Sequence, residues 1–502
     1  MDSNKLKAII IVVLALFAAL YLGISAATAQ LETVAWVMGG VGLSVCIFLG
    51  RKIWLLIPLF GAIDLTLRIP GQPNTLLLAQ VLVIGFSILL LSIRKLKFQL
   101  RITEIEVYMF LFFLLALQAY LRNPVGLNIF GGNSVGGKFY FTFAITLVAS
   151  TLMSGLVVDP KELWTALKLS IFGGLINLFI NIVGIFVPMV GYWASITVSG
   201  EGEGNEAIDR GAAGRVPGLS IFSNNLALWI SSFKNPMRAV FHPLWLPLIL
   251  ITMVAAGISG FRTAVILTGL IYLLAIYYRG RMIQVIISLG CFGLALAGLA
   301  VFNAVAPLPP NIQRALTFLP GTWEQRYKDD AQGSTDWRVE MWEEALTSER
   351  WIQNKVLGDG LGFTTQELNY QLALNSNAGN SNRIGISGFD ENREGVLASG
   401  GYHSVFVSSV RTCGYVGAVV FIFAMFRASV RAHRLIMRHR NTESFPLALF
   451  FGIPIIVSSL WFPFNTFTYL QAVSVFLYQV AMLRMLENNL PQVQPAAPAP
   501  LP

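Results

Sequence analysis

The chain has 502 residues, of which 55% are hydrophobic and 12% are charged, and its formal net charge is +9. So few charges cannot coat several soluble domains, so the composition excludes a soluble multidomain protein and is typical of a polytopic membrane protein. Lys and Arg cluster in short segments beside apolar runs, which favours a role in membrane topology over nucleic-acid binding.

The N-terminus carries an apolar run, Ala8–Ile24, between the cations Lys5 and Lys7 and the small-residue segment SAATAQ. This pattern is typical of a cleavable signal peptide, and it fits an uncleaved first span equally well. The orientation of everything downstream is the same in both cases.

Apolar runs long enough to cross a bilayer recur along the chain and predict an all-α membrane protein with about 12 to 14 transmembrane helices. The candidates lie near residues 8–26, 32–50, 53–67, 74–92, 104–121, 137–157, 162–189, 216–233, 242–258, 261–278, 282–305, 403–426, 445–463 and 467–485. The predicted domains are an N-terminal bundle of about eleven spans (1–306), a polar loop domain (307–402), three further spans (403–486) and a disordered tail (487–502). The shortest candidates, 53–67 and 216–233, are also compatible with re-entrant segments or broken helices.

The basic clusters predict the orientation of these spans. If about fourteen spans alternate from a cytoplasmic N-terminus, every cluster reaches the cytoplasmic side; the clusters are Lys5/Lys7, Arg51/Lys52, Arg94–Arg101, Lys234/Arg238, Arg279/Arg281 and Arg427–Arg440. Both termini are then cytoplasmic. The loop domain and the turn at Ser259–Arg262 lie on the external side.

The loop domain contains one helix that sequence signals define. Ser334 or Thr335 is a suitable N-cap for a helix that runs to about Arg350, with Arg338, Trp342 and Ala345 on one face. The glycines Gly358, Gly360 and Gly362 then predict a tight loop, and the acidic pair Asp329/Asp330 is interpreted as solvation of the loop domain.

Four side chains on the external side are candidates for chemistry. His403, where the loop domain enters a span, is suited to general-base catalysis, or it caps the helix and bonds a loop carbonyl. Arg215 and Arg262 can together neutralise a diphosphate, or they extend to lipid headgroups. Arg411 lies two helical turns inside the span that His403 opens, and it is either structural or lines a pathway.

Several short motifs occur in order along this part of the chain. They are GRVPGLSIFSNNLA around Arg215, SGFRTA around Arg262, Arg338 with Trp342, the glycines 358, 360 and 362, and HS followed by GYVG at 414–417. From about Gly214 to Phe426 this order resembles the superfamily of O-antigen ligases and O-antigen polymerases, which are bacterial envelope glycosyltransferases. Two features depart from that pattern: about fourteen spans where about twelve are common, and Ser404 where an asparagine often follows the histidine.

The resemblance implies a GT-C-like, lipid-carrier-dependent glycosyltransferase of the bacterial inner membrane, working at its periplasmic face without a metal or other cofactor. It would move a glycan from an undecaprenyl-diphosphate carrier to the hydroxyl of a lipid-anchored or carrier-linked sugar, beside other polysaccharide assembly proteins. Arg215 and Arg262 would hold the donor diphosphate, Arg338 would assist, and His403 would activate the acceptor. The alternative function is transport of a lipid-linked glycan or small molecule; proton coupling then calls for intramembrane carboxylates, of which Asp64 is nearly the only candidate.

Overall fold

The structure, a computed structural model, describes residues 40, 42, 44–63, 65, 74–126, 136–187, 217–362, 397, 400–464 and 468–491. Within these residues the regular structure is helical, apart from isolated bridge residues such as the pair Phe98 and Leu156. The helices are α1 (Leu56–Ile63), α2 (Thr75–Ser92), α3 (Glu104–Arg122), α4 (Lys138–Gly155), α5 (Pro160–Phe186), α6 (Pro217–Phe233), α7 (Pro236–Ala239), α8 (Trp245–Ile258), α9 (Arg262–Arg279), α10 (Met282–Val305), α11 (Pro310–Leu316), α12 (Gln325–Thr347), α13 (Val405–His439), α14 (Phe445–Trp461) and α15 (Tyr469–Asn489).

The described part of the chain contains eight helices that are long and apolar enough to cross a membrane, and two shorter apolar helices, α8 and α14. The predicted all-α polytopic membrane protein is therefore confirmed at this level. The predicted first span, near residues 8–26, lies outside the described residues.

The N-terminal boundaries differ from the prediction. We expected a turn at Arg51 and Lys52 between two spans, 32–50 and 53–67. Instead, helical structure continues from Ser44 to Ile63, with a 3-10 segment over Gly50–Leu55, and forms one candidate span. The two cations misled the prediction because a 3-10 turn carries them on the helix surface, where both are exposed.

Polar residues set the starts of several helices. Asp159 accepts a hydrogen bond from Lys161 N before α5, with Pro160 in the first turn, and Thr468 accepts one from Gln471 N before α15. Such caps satisfy backbone N–H groups that have no partner within the helix.

The described residues divide into two compact units, one with those between 40 and 54 and 85–96, and the other with those between 55 and 84 and between 97 and 491. In the larger unit α4 packs on α15, α13 packs on both α3 and α14, and α6 packs on α8 and α9. These pairings join the first and last thirds of the chain, so the larger unit is one bundle.

One end of this bundle, the basic end, gathers cations from distant segments. Arg440 Nη2 donates to the carbonyl of Gly280 at 2.7 Å, Arg279 Nε donates to the carbonyl of Ser231 at 2.7 Å, and Arg484 Nη2 donates to the carbonyl of Arg101 at 2.8 Å. Arg431, in the same cluster as Arg440, also pairs at 2.9 Å with Glu104, which is close to Arg101 in the chain. The basic clusters near Arg101, Arg279 and Arg440 therefore lie at one end of the bundle, as the charge pattern predicts.

The helix α13 extends through the basic cluster and ends at His439, not near residue 426 as we expected. Arg427 and Arg431 lie on its surface, and both form ion pairs with Glu104 at 3.0 and 2.9 Å. Ion pairing lets the cationic sequence remain helical, which a prediction based on apolar runs cannot detect.

Candidate functional site

The helix α12 of the loop domain organises the opposite end of the bundle. Ala331, Thr335, Arg338, Trp342 and Ala345 recur at helical spacing and therefore share one face. Ala345 is fully buried in an apolar cluster, and Trp342 packs against that cluster, as the predicted face requires. The predicted start of the helix is wrong, because α12 begins at Gln325 and its Ser334 and Thr335 lie inside it.

Arg262 is the first residue of α9 and follows the tight turn at Gly260, where φ is 72°. Its Nη2 donates to the carbonyl of Ala331 at 2.8 Å and to Thr335 Oγ1 at 3.3 Å. Within the described residues these hydrogen bonds use only one of the guanidinium nitrogens. Since arginine carries five N–H donors in a planar fork, the remaining edge of the group is suited to an anion.

Two residues that sequence reasoning did not select hold this turn in place. Arg314 of α11, which is 8% exposed, donates from Nη1 to the carbonyl of Gly260 at 3.0 Å and forms an ion pair with Asp330 of α12. The interpretation of Asp330 as loop solvation is therefore wrong. Its partner lies sixteen residues earlier on another helix, so no local pattern could reveal it.

His403 lies beside α12, on a side about 100° round the helix from Arg338. Its ring lies against Trp337, with centroids 5.8 Å apart, and its φ is 52°. Trp342 Nε1 donates to the carbonyl of Tyr402 at 2.7 Å, which fixes the preceding peptide. The helix cap is Ser404, whose hydroxyl oxygen accepts from Val407 N at 3.3 Å. The interpretation of His403 as the capping residue is therefore wrong.

The left-handed conformation of His403 has an energetic cost. A residue other than glycine with positive φ costs about 1–3 kcal/mol and persists only where the surroundings impose it. Here the surroundings are the indole of Trp337, the hydrogen bond from Trp342 and the cap at Ser404. Three separate contacts thus hold the backbone of residue 403. Such an arrangement is expected where the position of the side chain, here the imidazole of His403, matters for function.

The three candidates Arg262, Arg338 and His403 lie along one helix. Ala331 binds Arg262, and Trp342 binds the residue before His403. These two positions are about three turns of α12 apart, or roughly 16 Å. Arg338 lies between them and donates from Nη1 to the carbonyl and the hydroxyl of Ser334 at 3.2 and 3.1 Å. Arg215 lies outside the described residues.

Arg411 lies in the second turn of α13 and contacts a segment that returns from the loop domain (residues 352–362, the return segment). Its carbonyl accepts from Asp359 N at 2.8 Å and from Gly360 N at 3.2 Å, and its Nη1 lies 3.9 Å from the Asp359 carboxylate. The structure thus assigns Arg411 a structural contact within the loop domain. A role in a pathway stays a prediction.

The return segment fills a break in α13. At Gly414 the backbone has φ 70° and ψ −177°, which is not helical. Tyr415 N donates to the carbonyl of Lys355 at 2.8 Å, and Val416 N donates to the carbonyl of Val356 at 3.4 Å. The return segment therefore supplies hydrogen-bond partners that the helix itself lacks there, and a buried break without them would be costly.

The predicted tight loop within the return segment is confirmed, since Gly358, Gly360 and Gly362 all have φ between 76° and 104°. It is anchored by Asp359, whose carboxylate accepts from Gln353 N at 2.6 Å and from Asn354 N at 2.9 Å. These glycines thus form a structural turn that packs against α13.

Tyr402 is buried beside these charges. Burial raises the pKa of its phenol to about 12, against an opposing effect of the nearby Arg411 cation. The neutral hydroxyl donates to the carbonyl of Leu397 at 3.2 Å. Tyr402 is therefore an uncharged support for the adjacent His403 at physiological pH.

In the part of the chain that the structure describes, His, Cys, Asp and Glu form no group of three or more that could hold a metal ion. Comparisons with models of protein families, with curated proteins and with solved structures gave no match to this chain.

Proposed function

We propose that the protein is a membrane glycosyltransferase of the O-antigen ligase or polymerase type. It would transfer a glycan from an undecaprenyl-diphosphate carrier to a sugar hydroxyl, with a GT-C-like loop domain covering the site. The observation that supports this most directly is that one imidazole and two guanidinium groups lie around the same stretch of α12: Arg262 binds Ala331, Arg338 belongs to the helix, and His403 packs against Trp337.

The proposed reaction is a direct displacement at the anomeric carbon. His403 accepts the proton of the acceptor hydroxyl, and that oxygen forms the new glycosidic bond. The bond from the anomeric carbon to the carrier phosphate breaks, and its electron pair leaves with the diphosphate. Arg262 and Arg338, with Arg215 from outside the described residues, stabilise the charge that develops on this leaving group.

The proposed location is the bacterial inner membrane, with the site facing the periplasm and both termini in the cytoplasm. Arg101, Arg279 and Arg440 gather at the basic end, and the candidate site lies at the other end of the bundle. Because cytoplasmic ends of membrane proteins are enriched in Lys and Arg, this distribution supports a periplasmic site.

The decisive experiment measures glycan assembly in cells that depend on this protein. His403→Asn keeps a residue that tolerates positive φ while removing the base, and Arg262→Met removes one cation. We expect both to reduce transfer at least about a hundredfold at equal protein level. His242→Asn and Arg238→Met are matched controls, because Arg238 lies in α7 and His242 follows it, both side chains are exposed, and the whole of α8 separates them from the turn before Arg262. Normal glycan chains from both site variants would contradict the proposal.

A transfer assay with purified protein in detergent separates this function from transport. Glycosyl transfer continues without a sealed membrane, whereas transport cannot be defined there. Glu104, Glu106 and Glu487 are carboxylates of candidate spans that sequence reasoning overlooked, and all three are paired with arginine at the basic end. Such pairing favours a structural role over proton coupling, so it supports the enzyme.

A further inference from the structure

The smaller unit contains a surface groove that the proposed chemistry does not use. It lies between the helical segment that begins at Ser44 and the second half of α2, and its volume is about 400 Å³. Its lining residues are Ile47, Gly50, Arg51, Phe86, Leu90, Ile93 and Lys95. This volume falls within the range of roughly 300–1,000 Å³ that is usual for sites of small molecules.

The backbone at the end of α2 fixes the position of Lys95. Arg94 has φ 54°, Arg94 N donates to the carbonyl of Leu91 at 3.0 Å, and Lys95 N donates to the carbonyl of Leu90 at 2.9 Å. This pair of bonds is the Schellman motif, which folds the chain back over the last helical turn. Lys95 is therefore held directly above the apolar residue Leu90 in the groove.

The groove combines two kinds of wall. Arg51 and Lys95 provide two cations, and none of the seven described lining residues carries a carboxylate. The other side is apolar, and Ile47 and Ile93 remain 66% and 51% exposed. An occupant that satisfies both walls carries an anionic group and an alkyl chain in one molecule.

We propose that this groove binds an anionic phospholipid, with the headgroup phosphate between Arg51 and Lys95 and an acyl chain along the apolar wall. Basic pockets between membrane helices bind anionic headgroups by the same combination of charge and hydrophobic contact. The surrounding surface supports a lipid as occupant, because Phe48 and Leu89 beside the groove are exposed and apolar. Free phosphate has no alkyl chain, so it would gain no hydrophobic contact with the apolar wall.

The test measures lipid bound to the full-length protein in detergent by native mass spectrometry. The probes are phosphatidylglycerol, phosphatidylcholine and inorganic phosphate. The variant Arg51→Gln/Lys95→Gln removes both groove cations. The matched control Lys52→Gln/Arg94→Gln removes the same net charge from adjacent residues that do not line the groove. If the yield of the groove variant falls, Lys95→Gln alone replaces it.

We expect wild type and the control to bind phosphatidylglycerol equally and to prefer it to phosphatidylcholine. The groove variant should bind it about tenfold more weakly, and Lys95→Gln alone about threefold more weakly. Equal binding by the groove variant and the control would overturn the proposal. Equal binding of the two lipids, or phosphate binding as tight as that of the lipid, would overturn it as well.

Discussion

Trp342 Nε1 donates to the carbonyl of Tyr402 at 2.7 Å, and this bond joins the loop-domain helix to the peptide that precedes His403. Trp342→Phe keeps most of the ring and removes the donor. A buried carbonyl without its partner costs about 1–3 kcal/mol, so the backbone at 403 should relax. We expect glycosyl transfer to fall about tenfold at unchanged protein level.

The control for this change is Trp351→Phe. Trp351 Nε1 donates to Glu344 Oε1, also at 2.7 Å, and Trp351 belongs to the same apolar cluster as Tyr402, but its indole N–H does not bind the peptide before His403. It should lower thermal stability without the tenfold loss of transfer. Equal loss of transfer in both variants would show that Trp342 acts only through general stability of the domain.

Gly414→Ala tests the break in α13. A Cβ at this position would lie 2.0 Å from the carbonyl oxygen of Val356, and φ is 70°. We expect a loss of at least about 3 kcal/mol in the free energy of unfolding, seen as a lower melting temperature in detergent. Gly298→Ala is the control, since that helical glycine has open space around it and the variant should melt no lower than wild type. A Gly414→Ala protein with wild-type stability would contradict the described break.

The pair Arg314–Asp330 should be a strong link between α11 and α12. The Arg314 side chain is 9% exposed and that of Asp330 is 32% exposed, so removal of the Asp330 carboxylate leaves the buried Arg314 guanidinium without its ion-pair partner. We expect Asp330→Asn to cost about 2 kcal/mol of stability, less than a fully buried pair because water screens the carboxylate. Arg326→Gln, which breaks an exposed pair with Glu324, should cost under about 0.5 kcal/mol. Similar losses of stability in Asp330→Asn and Arg326→Gln would show that the Arg314–Asp330 pair does not link α11 to α12 strongly.

Tyr402 predicts a specific alkaline instability. Its folded pKa of about 12 is above the ordinary value of 10.0, so between these values the folded state binds the proton more tightly than the unfolded state. The free energy of unfolding therefore falls as pH rises from about 10 to 12, by roughly 2–3 kcal/mol from this group alone. Melting curves at pH 9 to 12 should show a shallower decline for Tyr402→Phe than for wild type. If the stabilities of Tyr402→Phe and wild type decline in parallel as pH rises, the raised pKa cannot be assigned to Tyr402.

Apolar runs predicted most of the helices because lipid-facing helices require nothing more than apolar residues over sufficient length. The start of α12 could not be predicted in this way. Gly333, Ser334 and Thr335 have the composition of a helix start, yet Tyr327 and Ala331 before them are buried. Burial therefore decides where this helix begins. Packing of one helix face contributes more to the free energy of folding than the low helix propensities of these residues subtract from it.

Part of the candidate site followed from the sequence, because Arg262, Arg338 and His403 each stand beside a recognisable turn or helix face. The break at Gly414 and the support from Trp342 did not. Lys355 and Tyr415 are sixty residues apart, and so are Trp342 and Tyr402. Hydrogen bonds of that separation depend on how the loop domain returns to the bundle, which no periodicity encodes.

The pair of Glu106 and Arg484 has a consequence for biosynthesis. Arg484 Nε donates to Glu106 Oε1 at 2.9 Å across 378 residues of chain, and the Arg484 side chain is 4% exposed. During synthesis, Glu106 enters the membrane long before the ribosome has made its counter-charge. An acidic residue without a partner in that setting is unfavourable until α15 arrives. A truncated chain that stops before α15 would keep this unpaired carboxylate, so we expect such a product to be less stable than the 502-residue chain.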